Sequence, residues 1–131
     1  MAKWAPPVKR VVIDSSSSAK DLEKMYKLCR CNTPCVVFVT YEQVRRRSSE
    51  FSFPTWSVIF LDEGHRIRNP DAEVTVSCKK LQGARRFILS GSPIQNSLTE
   101  LWSLMDFVYP GYLLLQCRHN IFVEVFIFRQ T

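Results

Sequence analysis

Trp56-Ser57-Val58-Ile59-Phe60-Leu61-Asp62-Glu63-Gly64-His65 is an apolar run that stops abruptly at two acids. A short apolar run bounded by polar residues suits a strand buried in a parallel sheet. The pattern recurs on both sides of it. Residues 8–13 are a β-branched run, residues 35–40 (CVVFVT) are almost continuously apolar, and residues 86–89 form a fourth strand-like segment. Helix-like segments separate them. Ser18 can cap a helix over residues 18–30, with Asp21 as capping-box partner. Leu22, Met25, Tyr26 and Cys29 fall on one face of that helix. Asn32-Thr33-Pro34 breaks the chain, and a short basic helix over 42–47 is expected before a polar loop to Thr55. Asn69-Pro70 reads as a helix start, with Lys79 and Lys80 near its end and Gly83 as its stop. Ser97-Leu98-Thr99-Glu100 is a capping box. Behind it Leu98, Leu101, Trp102, Met105 and Val108 form a stripe, which places Trp102 and Met105 in the core. Pro110-Gly111 ends that helix.

Strands alternating with helices imply parallel βαβ units and an α/β three-layer sandwich with a mostly parallel sheet. In such sheets sites form at the carboxyl ends of strands. Asp62-Glu63 and Ser90-Gly91-Ser92 both fall there. Two adjacent acids ending a buried strand are costly unless a cation or substrate uses them. A bare acid pair is more often a solvated turn, so the surrounding residues must decide between the two.

The 131 residues carry a net charge of +6, which modestly favours polyanionic partners. The three arginines 45–47 read as a solvated helix face that adds nonspecific phosphate attraction. Five cysteines and no apolar leader argue against a secreted disulfide framework. The spacing of Cys29, Cys31 and Cys35 is not a pair of zinc knuckles, so no zinc is expected. No uninterrupted apolar stretch reaches the length of a membrane span, so no membrane is expected.

Asp62-Glu63-Gly64-His65 with residues 66–70 resembles motif II of superfamily-2 helicase-like ATPases, and most of all the Swi/Snf branch. Residues 88–96 (ILSGSPIQN) with 98–104 (LTELWSL) resemble that branch's motif III. Val39-Thr40-Tyr41-Glu42 resembles its motif Ib, and Trp4-Ala5-Pro6 leading into residues 11–13 resembles its motif Ia region. The motifs stand in family order over residues 1–111. Residues 67–75 resemble the Cockayne syndrome group B subgroup, which acts in transcription-coupled repair. The resemblance implies part of a RecA-like lobe, ATP and Mg²⁺ as cofactors, and movement on double-stranded DNA. It further implies chromatin or stalled transcription machinery as partners, in the nucleus. Asp62 would hold Mg²⁺ through water, Glu63 would activate water, and His65 would connect the site to motif III towards Gln95. Ser90, Gly91 and Ser92 would couple hydrolysis to movement, and Thr40 and Tyr41 would lie near a phosphate of the tracked strand.

The chain departs from the family in two places. A phosphate-binding loop needs glycines before a Lys-Ser or Lys-Thr pair. None of the four glycines precedes one, and the family places that loop and its strand upstream of the motif Ia region. The second departure is residues 112–131, an apolar tail containing IFVEVFIF that is not family-like. It reads as an altered exon end, or else as an edge strand or partner-binding tail. Residues 1–111 are then a partial ATP-binding lobe, expected to be inactive alone and to fold poorly, with residues 86–89 as an open edge. One alternative is a truncated binding module that contacts DNA or a full-length ATPase without hydrolysing ATP. Another, a metal-dependent phosphohydrolase built on Asp62 and Glu63, needs further ligands, and His119 is the only other histidine.

Overall fold

The computed structural model describes residues 8–31, 33–91 and 97–111. The tail 112–131, the Trp4-Ala5-Pro6 segment, Ser92 and Gln95 lie outside the described residues. The chain forms two compact units, Met1–Pro54 and Thr55–Thr131.

In the first unit, β1 (Lys9–Ile13) pairs in parallel with β2 (Cys35–Val39), from Lys9↔Cys35 to Ile13↔Val39. Helix α1 (Ala19–Arg30) makes the crossover. The Asp21 carboxylate accepts the Ser18 N–H at 2.8 Å, as the capping box requires. Val11 and Ile13 of the sheet and Leu22 and Met25 of the helix are buried, so one sheet face and one helix face close on each other. Burial of β2 on both faces does not hold, because Phe38 is 44% exposed. Among the described residues β2 pairs with β1 alone.

The basic helix is α2 (Tyr41–Arg46). The expected loop to Thr55 contains a further helix, α3 (Ser48–Ser52), whose Phe51 is buried. The Tyr26 hydroxyl donates to the Glu50 carbonyl at 2.9 Å, tying α3 to α1. Periodicity missed α3 because one apolar anchor in five residues is too little signal.

In the second unit the strand expected over residues 56–61 is two strands. They are β3 (Thr55–Trp56) and β4 (Ile59–Leu61), parallel to β5 (Gln82–Gly83) and β6 (Arg86–Ile88) respectively. Both partners bend together: the Ala84 N–H donates to the Trp56 carbonyl and the Ile59 N–H to the Arg85 carbonyl, each at 2.9 Å. The expected helix start at Asn69-Pro70 is instead a turn, in which Asn69 Oδ1 accepts the Asp71 N–H at 3.0 Å. Helix α4 (Glu73–Lys79) begins later and ends before Gly83, which belongs to β5. An Asn side chain caps a turn as readily as a helix, which explains the error.

Helix α5 (Leu98–Val108) starts as read, with Ser97 Oγ accepting the Glu100 N–H at 3.3 Å. Its buried face is different. Ser103, Leu104 and Phe107 are buried, whereas Leu98 is 84% exposed and Trp102 and Met105 are only half-buried. The reason is polar. Ser103 Oγ donates to the Ile67 carbonyl at 2.8 Å in the interior. Trp102 instead lies under the Lys79 ammonium, 4.7 Å from its ring centroid.

Lys79 also pairs with Asp106 at 2.8 Å. Burial pushes the Asp106 carboxyl up, but the Lys79 ammonium, the Gly111 amide and the Arg86 charge together hold it below the usual carboxylate range. Its contribution to stability is therefore present above the ordinary carboxylate value and lost as pH falls through the lowered native value.

One side of the β4–β6 sheet is left partly uncovered by the described residues of its own unit. Phe60 (63% exposed) and Phe87 (46%) stack there with ring centroids 5.1 Å apart. Such a surface invites association.

Asp106→Asn lowers unfolding free energy by roughly 1 kcal/mol at neutral pH, and the difference disappears in strong acid; urea titrations at two pH values check this. Gly64 packs so closely that a Cβ there would lie 2.1 Å from Ile88 Cγ2, a rigid branch methyl. Gly64→Ala therefore costs about 1–3 kcal/mol, read from the urea midpoint. The partly uncovered phenylalanine face makes the isolated chain associate on a sizing column, and a monomeric profile with a sharp melt contradicts this.

Candidate nucleotide site

The two polar loops are brought together by strand register. Leu61 pairs with Ile88, so β4 and β6 end at the same level. Past that point the Leu89 N–H donates to the Leu61 carbonyl at 2.8 Å, and the Gly64 N–H donates to the Leu89 carbonyl at 2.9 Å. Asp62-Glu63 and Ser90-Gly91 thus emerge side by side from one sheet end, where α/β folds place their sites.

Asp62 and Glu63 are exposed. The cost argued from burial therefore does not apply to them, because the strand is buried and the acids beyond it are not. Asp62 Oδ1 accepts the Glu63 N–H at 2.9 Å. Glu63 sits in the left-handed region (φ 50°, ψ 49°), a strained conformation for a residue with a side chain. The strain turns the chain sharply into the 3-10 turn Gly64–Ile67. His65 Nδ1 then lies 3.1 Å from Glu63 Oε2. A proton on Nδ1 lets the ring donate to the carboxylate and orient it, leaving Nε2 for another partner.

One exposed carboxylate with an adjacent second one suits a hydrated, hard cation. Mg²⁺ keeps several waters and takes one or two carboxylates, with substrate phosphates supplying the rest. Among the described residues no group of three or more His, Cys, Asp and Glu could hold an ion.

On the other loop, Ser90 Oγ is buried without a hydrogen-bond partner among the described residues. A buried hydroxyl in that state costs about 1–3 kcal/mol. Gly91 is exposed, with open space where a Cβ would be.

Thr40 and Tyr41 belong to the other unit, at the carboxyl end of β2. Thr40 Oγ1 accepts the Gln43 N–H at 3.3 Å and caps α2, while its hydroxyl proton stays available. Arg45 and Arg46 converge on Glu42 at 2.8 and 2.6 Å. Their hydrogen bonds hold the Glu42 carboxyl down at about 2, so part of the basic run is neutralised within its own helix.

Several positioning residues escaped the sequence reading. Ser103 ties α5 to the turn after the acids, and Arg68 approaches Glu100 at 3.9 Å between the same elements. Gly64 lets that turn lie against Ile88. A serine within an apolar helix face was the available signal for Ser103.

Comparison with known proteins bears on the family and the fold. The model of the SNF2-related domain family matches residues 1–127. Human DNA excision repair protein ERCC-6 is 42% identical over 112 residues, covering 84% of this chain and 7% of its own length. DNA repair and recombination protein RAD26 of Saccharomyces cerevisiae is 46% identical over 105 residues, covering 76% of this chain and 10% of its own. The Sulfolobus solfataricus SWI2/SNF2 ATPase core in complex with double-stranded DNA superposes with a TM-score of 0.64 at 27% identity, covering 84% of this chain and 21% of that one. The chain thus spans a small fraction of the relatives it matches. In sequence, motif order and fold it belongs to the SNF2-related domain family.

Proposed function

We propose that this chain carries the acidic wall of the nucleotide site of an ATP-dependent DNA translocase of the transcription-coupled repair type, acting in the nucleus on chromatin or stalled transcription machinery. The observation that carries this reading is the paired exit of the Asp62-Glu63 and Ser90-Gly91 loops from β4 and β6, locked by the hydrogen bond from Gly64 to Leu89. Support comes from relatives named for DNA excision repair and for DNA repair and recombination, and from a structural neighbour solved on double-stranded DNA.

Asp62 would hold Mg²⁺ through water, and the ion when bound neutralises phosphate charge. Glu63 polarises the attacking water. His65 holds the Glu63 carboxylate at 3.1 Å and fixes its direction. Phosphoryl transfer needs positioning and charge neutralisation more than covalent chemistry, which suits two oriented acids. Ser90 and Gly91 follow β6 where the Gly64–Leu89 hydrogen bond joins the two loops; with Ser92 they would couple hydrolysis to movement, and Gln95 would be the partner of His65. Thr40 and Tyr41 would lie near a phosphate of the tracked strand. The phosphate cradle is not among these 131 residues, since no glycine precedes a Lys-Ser or Lys-Thr pair. The chain by itself therefore does not turn over ATP.

Two measurements test this. The isolated chain shows no DNA-stimulated ATP hydrolysis, and hydrolysis that vanishes in Glu63→Gln overturns the claim of inactivity. Residues 8–111 are then grafted over the matching segment of the Sulfolobus solfataricus core. That chimera hydrolyses ATP, and Glu63→Gln lowers its kcat by roughly 10²–10⁴-fold, the usual contribution of a positioned base. An unchanged kcat sinks the role given to Glu63. Tight, salt-sensitive DNA binding by a monomeric isolated chain favours instead a binding module that does not hydrolyse ATP.

A further inference from the structure

We infer that Cys29 and Cys35 form a thiol pair that a low-molecular-weight disulfide such as glutathione disulfide converts to an intramolecular disulfide. The placement follows from the βαβ crossover. Register pairs Cys35, Val37 and Val39 with Lys9, Val11 and Ile13, so strand alternation puts Cys35 on the face that carries Val11 and Ile13. Val11 and Ile13 are buried, which marks this as the covered face. In α1, Cys29 lies one turn beyond Met25 on the stripe that begins at Leu22, and both of those are buried. Cys29 ends the helix and Cys35 begins the strand. A tight connection closed by the Thr33 N–H to the Leu28 carbonyl at 3.3 Å joins them. Both side chains therefore enter the same interface from opposite sides, and Cys35 is near enough to help raise the Cys29 thiol above its ordinary value.

The remaining cysteines among the described residues are placed differently. Cys31 is exposed in the connection, and Cys78 is fully buried in the other unit. Burial pushes the Cys78 thiol up to about 12, so it does not react in the folded chain. Burial also raises the Cys29 thiol, with Cys35 adding to the effect, which makes Cys29 the poorer first nucleophile.

The chemistry balances as ordinary exchange. The Cys35 thiolate attacks one sulfur of glutathione disulfide, and the released glutathione thiolate takes up a proton. The Cys29 thiolate then attacks the Cys35 sulfur of the mixed disulfide and expels the second glutathione. The protein loses two electrons and two protons, and one glutathione disulfide becomes two glutathione thiols. A reducing thiol reverses both steps. The product staples the end of α1 to the start of β2, at the opposite end of that strand from Thr40.

The test is a peptide map without reduction after exposure to glutathione disulfide. Trypsin cuts after Arg30, so the link joins the peptide over residues 28–30 to that over 31–45. The free-thiol count falls by two. The link persists in Cys31→Ser, whose side chain is exposed, and is lost in Cys35→Ser. Loss of the link in Cys31→Ser, or its retention in Cys35→Ser, assigns it to Cys29–Cys31 and overturns the inference. A yield in Cys31→Ser no higher in buffer than in concentrated urea also overturns it, because the fold would then contribute nothing to the pairing. Glutathione adducts alone, on single cysteines, overturn it as well.

Discussion

The amide of Gly64 reaches the carbonyl of Leu89 because nothing projects from its own Cα, and the rest of the second unit's polar end depends on that contact. The backbone after β4 must turn within one residue to lie against Ile88. Glu63 accepts a left-handed conformation to make the turn. The acids are thereby held outside the sheet while their backbone is anchored to it. Two loops that are separate in sequence are thereby joined at one edge, with Glu63 and Ser90 each one residue away from the hydrogen bond between Gly64 and Leu89.

Behind that edge, α5 holds the 3-10 turn from the other side. Ser103 gives its hydroxyl to the Ile67 carbonyl, and Arg68 lies near Glu100 in the first turn of the helix. The buried hydrogen bond contributes of the order of 1 kcal/mol net, and losing its donor would cost more because the Ile67 carbonyl would stay unsatisfied. The helix that follows the second loop is thus fastened to the segment that follows the acids.

Much of this was legible in sequence. Strand alternation, the parallel α/β class and the exit of Asp62-Glu63 and Ser90-Gly91 at strand ends follow from apolar runs and their polar stops. The Ser18 and Ser97 caps were readable because short polar side chains cap locally. What failed was tertiary. The face of α5 is set by Ser103 finding Ile67, which no periodicity encodes. The split between β3 and β4 arises from a bend shared with β5 and β6, and a single strand's composition cannot show its partner's bend. Asn69-Pro70 carried a true local signal that a turn used before a helix could. The His65–Gln95 link and the tail 112–131 fall outside the described residues.

The stacked phenylalanines of the partly uncovered sheet face have a thermal consequence. Phe60, Phe87 and Leu89 are about half exposed in the folded chain, so unfolding exposes less new apolar surface there than full burial would. The heat-capacity increment of unfolding comes mainly from newly exposed apolar area. The second unit therefore has a flatter stability curve than its residue count implies, with a shallow maximum and weak dependence on cooling. Covering that face would add the missing curvature together with the missing hydrophobic free energy, making the unit's response to temperature a measure of how much of its sheet is enclosed.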